Sequence, residues 1–270
     1  MKKYLSGFVV SFMAMMAIPS AFALEVTGEW QQGAVIIGQV PAGVSVEYKQ
    51  RRLQLTNDGK FVIGLGRDAG NTAVITTLAK GKIEQHKFTV KARTYDIQRV
   101  EGVPQSTVEP NPEQEARIKR EAEWVSAARK VDLPLDFFAQ KFQWPLVGPI
   151  SGVYGSQRVY NGIPRAPHFG LDIAKPVGSL VRAPAGGVVT LVHPDMFLSG
   201  GTLILDHGHG LSSTFIHLSK ILVKEGDKVR QGQDIALVGK TGRASGPHLH
   251  WAMNWFGERV DPQLMVPALP

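Results

Sequence analysis

Cysteine is absent from this chain of 270 residues. Its absence excludes disulfide bonds, a thiol nucleophile and a cysteine-ligated zinc site, so the fold must be stabilised by ordinary hydrophobic cores. Basic runs interleaved with aromatic residues are also absent, and we therefore expect no nucleic-acid partner. The formal net charge of +7 is a modest basic excess, which favours polyanionic surroundings such as a cell envelope.

The first 23 residues have the pattern of a secretory signal peptide. Lys2 and Lys3 form a basic start, an apolar run extends from Leu5 to Ile18, and Ala21-Phe22-Ala23 is a cleavage site of the A-x-A type. The apolar run is too short to span a membrane comfortably, and no cysteine follows it to carry a lipid. We expect a periplasmic or secreted protein with no stable membrane anchor after cleavage.

The remainder predicts a mainly β protein in which a connector joins two domains. Residues 24–100 contain short β-branched segments separated by turn signals, which indicates a small β-sandwich-like domain. Residues 101–144 contain one helix, for which Asn111 is a suitable N-cap and Pro112 a suitable first residue. Residues 145–270 show no helical period long enough to cover a parallel sheet, so we predict an antiparallel β domain with a groove.

The predicted helix has one narrow apolar stripe. Ile118, Ala122, Val125 and Arg129 lie three or four residues apart and therefore share one face. We expect this face to pack between the two domains.

Four of the eight histidines and one aspartate form a candidate metal site in the last part of the chain. These residues are His168, Asp172, His217, His248 and His250. Imidazole and carboxylate are the ligands of a catalytic zinc, which takes three protein ligands and keeps one position for water. The chemistry leaves open which of the five bind the metal, because an H-x-H pair can supply two ligands.

The spacing of these residues suggests that strands carry them. Side chains two or four positions apart on a strand point to the same side. We therefore expect His248 and His250 to share one face, as do His168 and Asp172, and His217 to share a face with Phe215.

The five residues also resemble the motifs of the lysostaphin-type (LytM-domain) zinc endopeptidases of bacterial cell walls. H-x-x-x-D, a later histidine after an aromatic-containing strand, and G-P-H-L-H occur in that order, and the resemblance covers about residues 145–262. Gly239-x-Thr241-Gly242 is similar as well. By this resemblance His168, Asp172 and His250 would bind one zinc ion per chain, and His217 and His248 would be unligated catalytic histidines.

The resemblance implies an exported zinc metalloendopeptidase that hydrolyses peptide cross-links of peptidoglycan through a zinc-activated water. Its partners would be peptidoglycan peptides. Whether a regulatory protein also binds is left open by the sequence. The alternative is a non-catalytic peptidoglycan-binding or amidase-activating module, which needs a groove but no metal. The complete set of five site residues favours the enzyme.

Two further histidines lie in Asp206-His207-Gly208-His209-Gly210. The glycines indicate a hairpin turn. We expect a role in forming the turn and lining the substrate groove rather than a second metal site.

Overall fold

The structure is a computed structural model that describes residues 23–100, 111–160 and 162–269. The predicted signal peptide, apart from Ala23, lies outside the described residues. Within those residues the chain is mainly β, with mostly antiparallel strands and one α-helix, as the sequence predicts. No helix among them is long and apolar enough to cross a membrane.

The front of the chain forms a three-stranded and a four-stranded sheet, with strand orders β1-β2-β5 and β4-β3-β6-β7. The strands are Glu25–Thr27 (β1), Val35–Gln39 (β2), Ser45–Tyr48 (β3), Arg51–Arg52 (β4), Lys60–Gly64 (β5), Thr72–Ala79 (β6) and Lys82–Thr89 (β7). Burial alternates along β3 and β6, as it does in strands with one buried face. Buried residues of both sheets, such as Ile36 and Ile75, belong to one core.

The back of the chain is built on a ten-stranded antiparallel sheet with the main order β17-β14-β15-β16-β19-β12-β9. Its strands are Ile150–Gly152 (β9), Leu171–Ala174 (β12), Leu180–Arg182 (β13), Gly187–Met196 (β14), Gly200–Gly208 (β15), Leu211–Ile221 (β16), Lys228–Val229 (β17), Asp234–Val238 (β18), His248–Trp255 (β19) and Glu258–Val260 (β20). One face of its centre is closed by Phe215, Leu249 and Trp251, each with 0% exposure. The opposite face is therefore the one available for a site.

A small third sheet joins the two parts. Strand β8 (Ile97–Val100) pairs in parallel with β10 (Gln157–Tyr160), which pairs with β11 (Ile163–Pro164). This sheet lies just ahead of His168 in the chain and ties the end of the front part to the loop that carries that histidine.

The front and back parts share one hydrophobic core. The Gly64 backbone approaches Trp255 so closely that a Cβ on residue 64 would lie 2.5 Å from the Trp255 Cβ. An ion pair of 2.8 Å between Arg93 Nη1 and Asp261 Oδ2 also crosses the boundary, and Asp261 is only 2% exposed. Separating the two parts would therefore expose apolar surface and leave a buried carboxylate without its partner.

The connector helix α1 (Pro112–Arg129) begins as the sequence predicts. The Asn111 side chain accepts a hydrogen bond from the Gln114 N–H, and the Gln114 side chain accepts one from the Asn111 N–H. This reciprocal capping satisfies two donors that helices otherwise leave without partners. Val125 and Ala128 pack on residues of β14 and β15, so the helix lies on the back part.

The segment after α1 also packs on the back part. A short 3₁₀ helix (Phe137–Ala139) places Phe138 against His209, with ring centroids 4.7 Å apart. Phe142 packs on His207 at 4.9 Å. Both phenylalanines are buried, and they precede residue 145.

Candidate active site

Strand pairing brings Asp172 and the H-x-H pair together. In the antiparallel pairing of β12 with β19, Asp172 lies directly opposite His250, and Ala174 lies opposite His248. Side chains of directly paired residues lie on the same face of a sheet. The three polar side chains therefore project from the face opposite the buried core.

Three ligand-type atoms form a small triangle on this face. His168 Nε2 lies 3.1 Å from Asp172 Oδ1 and 3.1 Å from His250 Nδ1, and the third side, between Asp172 Oδ1 and His250 Nδ1, is 2.7 Å. A tetrahedral zinc with bonds of about 2.0–2.2 Å holds its ligand atoms roughly 3.3 Å apart. The three separations are somewhat shorter than this value, and all three atoms lie within 4.8 Å of one another, as the ligands of one metal ion must.

The hydrogen bond at the other ring nitrogen of His168 shows why a cation fits this triangle. His168 Nδ1 lies 2.9 Å from the Val153 carbonyl oxygen, which can only accept, so Nδ1 carries the proton. In the neutral ring, Nε2 then presents a lone pair toward the Asp172 carboxylate, which is also an acceptor. Two acceptors facing each other repel unless a cation lies between them, and an N–H donated to a carbonyl is the usual way of orienting a histidine ligand.

Two glycines allow the ligand side chains to come this close. A Cβ on Gly170 would lie 2.5 Å from His250 Nε2, and a Cβ on Gly152 would collide with Asp172 Oδ2. A larger residue at either position would displace a candidate ligand.

The ionisation of the site favours a bound cation. Burial tends to raise the pKa of Asp172, but the close imidazole rings of His168 and His250 outweigh it and hold the pKa far below its usual range. Burial lowers the pKa of His250, which the bond to Asp172 only partly offsets. An ionised carboxylate beside a neutral imidazole is the state that a metal requires of its ligands.

His217 reaches the site through a bulge rather than through strand alternation. Gly201 pairs with Leu218 but Leu203 pairs with Phe215, so β16 contains one extra residue at this point. His217 has a φ of 63°, an unusual value for a residue with a side chain. The expectation that Phe215 and His217 share a face is wrong: Phe215 is in the core, whereas the His217 ring lies 4.8 Å from the His248 ring.

His217 and His248 each present one ring nitrogen that no backbone group occupies. His217 Nδ1 donates to the Thr241 carbonyl oxygen at 2.8 Å, and His248 Nδ1 donates to the Gly246 carbonyl oxygen at 2.8 Å. On both rings Nε2 therefore has no backbone hydrogen bond. His248 Nε2 lies 3.7 Å from Asp172 Oδ1. Burial lowers the pKa of His217 to about 4, so its ring is neutral near pH 7.

His168 also differs from the expected strand arrangement. It lies in the loop before β12, which begins at Leu171, so His168 and Asp172 do not share a strand. The loop is held by the His168 N–H donating to the Ser156 carbonyl oxygen at 2.8 Å. Three backbone carbonyl groups, those of Val153, Thr241 and Gly246, orient the rings of the site histidines. Sequence patterns did not predict these contacts, because each carbonyl is either remote in sequence from its histidine or placed by the conformation of a loop.

The Asp206–Gly210 segment forms the expected hairpin turn but does not line the groove. His207 Nδ1 donates to the Gly186 carbonyl oxygen at 2.7 Å, and His207 Nε2 lies 2.8 Å from Ser213 Oγ. His207 is fully buried, and His209 packs on Phe138. The predicted substrate-lining role of these histidines is wrong, because both side chains are used in packing.

This geometry can be compared with known proteins. Residues 166–262, which contain all five site residues, match the model of peptidase family M23. This match covers 97 of the 270 residues. The matched residues include strands β12 to β20 of the ten-stranded sheet.

The curated relatives match about a third of this chain. A segment of 98 residues is 44% identical to the Peptidoglycan DD-endopeptidase ShyA of Vibrio cholerae, covering 36% of this chain and 22% of that protein. A segment of 95 residues is 40% identical to the DD-carboxypeptidase/endopeptidase Mpg of Neisseria meningitidis, covering 35% and 22%. The matched part therefore spans about a fifth of the length of these relatives.

A solved structure resembles the chain over most of its length. The putative peptidase M23 from Pseudomonas aeruginosa has a TM-score of 0.69 and 29% sequence identity, covering 90% of this chain and 97% of that chain. Since the M23 match occupies only residues 166–262, this likeness extends to the front sheets as well.

Proposed function

We propose that this protein is an exported zinc endopeptidase of the M23 type that hydrolyses peptide cross-links of peptidoglycan. The main support is the triangle of His168 Nε2, Asp172 Oδ1 and His250 Nδ1, with sides of 2.7–3.1 Å, next to two further histidines. Both curated relatives compared above carry endopeptidase in their names, and one is named for peptidoglycan.

His168, Asp172 and His250 would hold one zinc ion per chain. When bound, zinc supplies Lewis acidity, which activates water and polarises a peptide carbonyl. Two neutral histidines and one carboxylate leave the site with net positive charge, which favours the developing oxyanion.

His217 and His248 would move the protons. A neutral imidazole accepts a proton at its free Nε2, and the same atom donates once it is protonated. One of the two rings would take the proton from the attacking water, and the other would hydrogen-bond to the oxyanion. Their Nδ1–H bonds to backbone carbonyl groups fix the tautomer that each role needs.

Digestion of purified peptidoglycan tests the proposal. The chain from Leu24 onward, loaded with zinc, should release fragments from which mass spectrometry identifies the cleaved bond. Chelation should stop the release and added zinc should restore it. If the protein binds peptidoglycan in both conditions but cleaves nothing, the proposal is wrong and the non-catalytic binding or amidase-activating module takes its place.

Export is part of the same proposal. Its support is the signal-peptide pattern ending at Ala21-Phe22-Ala23. Mass spectrometry of the protein isolated from cells should find an N-terminus at Leu24, and a protein that retains Met1 would contradict cleavage.

A further inference from the structure

A cavity of about 270 Å³ lies beside the candidate metal site, between α1 and the open face of the sheet. Arg129, Arg259, Thr214 and His250 are among the residues that line it. The cavity is smaller than the roughly 300–1,000 Å³ of a pocket for a drug-sized molecule, so it suits one residue of a longer ligand.

The two arginines reach the cavity from separate elements. Arg129 is the last residue of α1, and its Nη2 donates to Thr214 Oγ1 at 3.0 Å. Arg259 lies on β20 opposite Asn254, and its guanidinium carbon is 5.6 Å from the centroid of the Phe169 ring. Phe169 adjoins His168, so Arg259 lies next to the candidate metal site.

Neither guanidinium has an acidic partner among the residues that the structure describes. No carboxylate there lies within 4.0 Å of Arg129 or Arg259, and Arg129 Nε is buried with no hydrogen-bond partner. Burial and the charge of Arg259 lower the pKa of Arg129 well below its usual value. Burial also lowers the pKa of Arg259.

The acidic residue that also lines this cavity is already engaged. Glu121 Oε1 accepts from Arg117 Nε at 2.7 Å, and Glu121 Oε2 accepts from the Phe197 N–H at 2.8 Å. Glu121 is also eight residues before Arg129, a distance of about 12 Å along a helix. It does not neutralise the arginine pair.

Uncompensated guanidinium groups are costly, because a positive charge removed from water needs a partner of opposite charge. Arginine is also the side chain best suited to bind a carboxylate through two parallel hydrogen bonds. We propose that Arg129 and Arg259 form a subsite for a carboxylate of the peptide substrate. This inference rests on the proposed function, because the peptide supplies the anion.

The sheet register indicates where this carboxylate lies in the substrate. Thr214, which Arg129 contacts, pairs with Ala252, two residues from His250 and so about 7 Å along the strand. If an extended peptide binds across the metal site, the carboxylate that reaches the arginines belongs to a substrate residue about two positions from the scissile bond. Arg129 belongs to the connector, so this subsite joins the helix to the ten-stranded sheet.

Two short cross-linked peptides that differ only in charge test the subsite. One carries free carboxylates, and in the other every carboxylate is a carboxamide. For the zinc-loaded chain from Leu24 onward, we expect KM to be roughly 10- to 100-fold lower for the acidic peptide, the scale of a hydrogen bond to a charged group, with similar kcat. Equal KM values would overturn the subsite while leaving the proposed function intact.

Arginine variants assign the effect to these two residues. Arg129→Gln and Arg259→Gln should each raise KM for the acidic peptide about tenfold and leave the carboxamide peptide unchanged. Arg182→Gln is the matched control, because Arg182 is exposed and pairs with Asp234. A parallel rise for both peptides would contradict a carboxylate subsite.

Binding measured by calorimetry on the zinc-free chain keeps this test independent of catalysis. Preference for the acidic peptide should persist in the wild type without metal. If the wild type cleaves neither peptide but binds the acidic one more tightly, the proposed function fails and the subsite stands. Equal affinities would overturn the subsite whatever the activity.

Discussion

Asp172 and His250 face each other directly across the antiparallel strands β12 and β19, with 2.7 Å between Asp172 Oδ1 and His250 Nδ1. The backbone ladder therefore fixes the separation of two candidate ligands before any metal binds. His168 completes the triangle from a loop that is held by carbonyl oxygens of Val153 and Ser156. The site is thus pre-organised mainly by strand pairing.

Replacing Asp172 by Ala should remove the metal and the activity together. Asp172 supplies the single negative charge of the candidate ligand set, and it lies within 3.1 Å of both histidine ligand atoms. We expect bound zinc to fall from about one per chain to nearly none when measured by elemental analysis after dialysis. Asp234→Ala, on the surface beside Arg182, is the control. A fully metallated Asp172→Ala protein would show that this ligand assignment is wrong.

Replacing His217 or His248 by Ala should keep the metal and slow turnover. Each ring presents an unligated Nε2 beside the triangle, and loss of a general acid–base group reduces kcat by roughly two to four orders of magnitude. Zinc content and kcat should be measured on the same preparations, with His193→Ala as a control at a histidine that stacks on Trp124. Loss of zinc from the His248 variant would mean that the H-x-H pair chelates the metal.

The sequence predicted those parts of the site that follow local periodicity. His248 and His250 are two residues apart on one strand, and they share a face as expected. His217 could not be placed in this way, because its orientation depends on a one-residue bulge that sequence periodicity does not show. The helix start at Asn111 could be predicted because capping depends only on residues close in sequence.

Features that depend on distant residues were not predicted. Arg129 and Arg259 meet in one cavity although 130 positions separate them in sequence, and no short pattern connects them. The same holds for the core that joins the front and back parts, where Gly64 lies against Trp255. Binary patterning identifies buried faces but not the partners of those faces.

Asp206 should make stability depend on pH. Burial raises the pKa of its carboxyl group from 3.8 to about 7, and the negative charge of Asp132 contributes in the same direction. The folded state therefore favours the protonated acid, so this stabilisation is complete below about pH 4 and is lost progressively as the pH rises from about 4 to about 7. A shift of about three units corresponds to at most about 4 kcal/mol in the free energy of unfolding.

His207 changes the stability with pH in the opposite direction to Asp206. The effect of Asp206 must therefore be measured as the difference between the wild type and a variant at this position. Burial lowers its pKa to about 4, and the stability that it contributes is present above pH 6.5 and lost as the pH falls toward 4. Relative to wild type, Asp206→Asn should therefore gain stability between pH 5 and pH 8 in urea titrations. Asp234→Asn, at an exposed carboxylate, should show no such gain. A stability difference that does not change with pH would exclude titration of Asp206.

The connector helix should restrain access to the groove. Its residues Ile118 and Val125 line the same cavity as His250, and the Glu121 carboxylate fastens the helix to the backbone N–H of Phe197. Glu121→Ala should loosen this attachment and raise kcat/KM severalfold on a short carboxamide peptide, which does not depend on Arg129. Glu113→Ala, at an exposed position in the first turn of the same helix, is the matched control.

Glu121→Ala tests whether the helix restrains access to the groove more directly than removal of the front part does. We expect residues 145–270 to retain all five site residues and so to cleave alone, but that fragment lacks Phe138 and Phe142, which pack on His209 and His207. It would also expose the core face shared with the front sheets, so low activity could reflect instability instead of catalysis. In the full chain, equal rates for Glu121→Ala, Glu113→Ala and wild type on the short peptide would rule out restraint by the helix. If removal of the front part instead slows only the digestion of insoluble cell wall, the front part recruits the enzyme to its substrate.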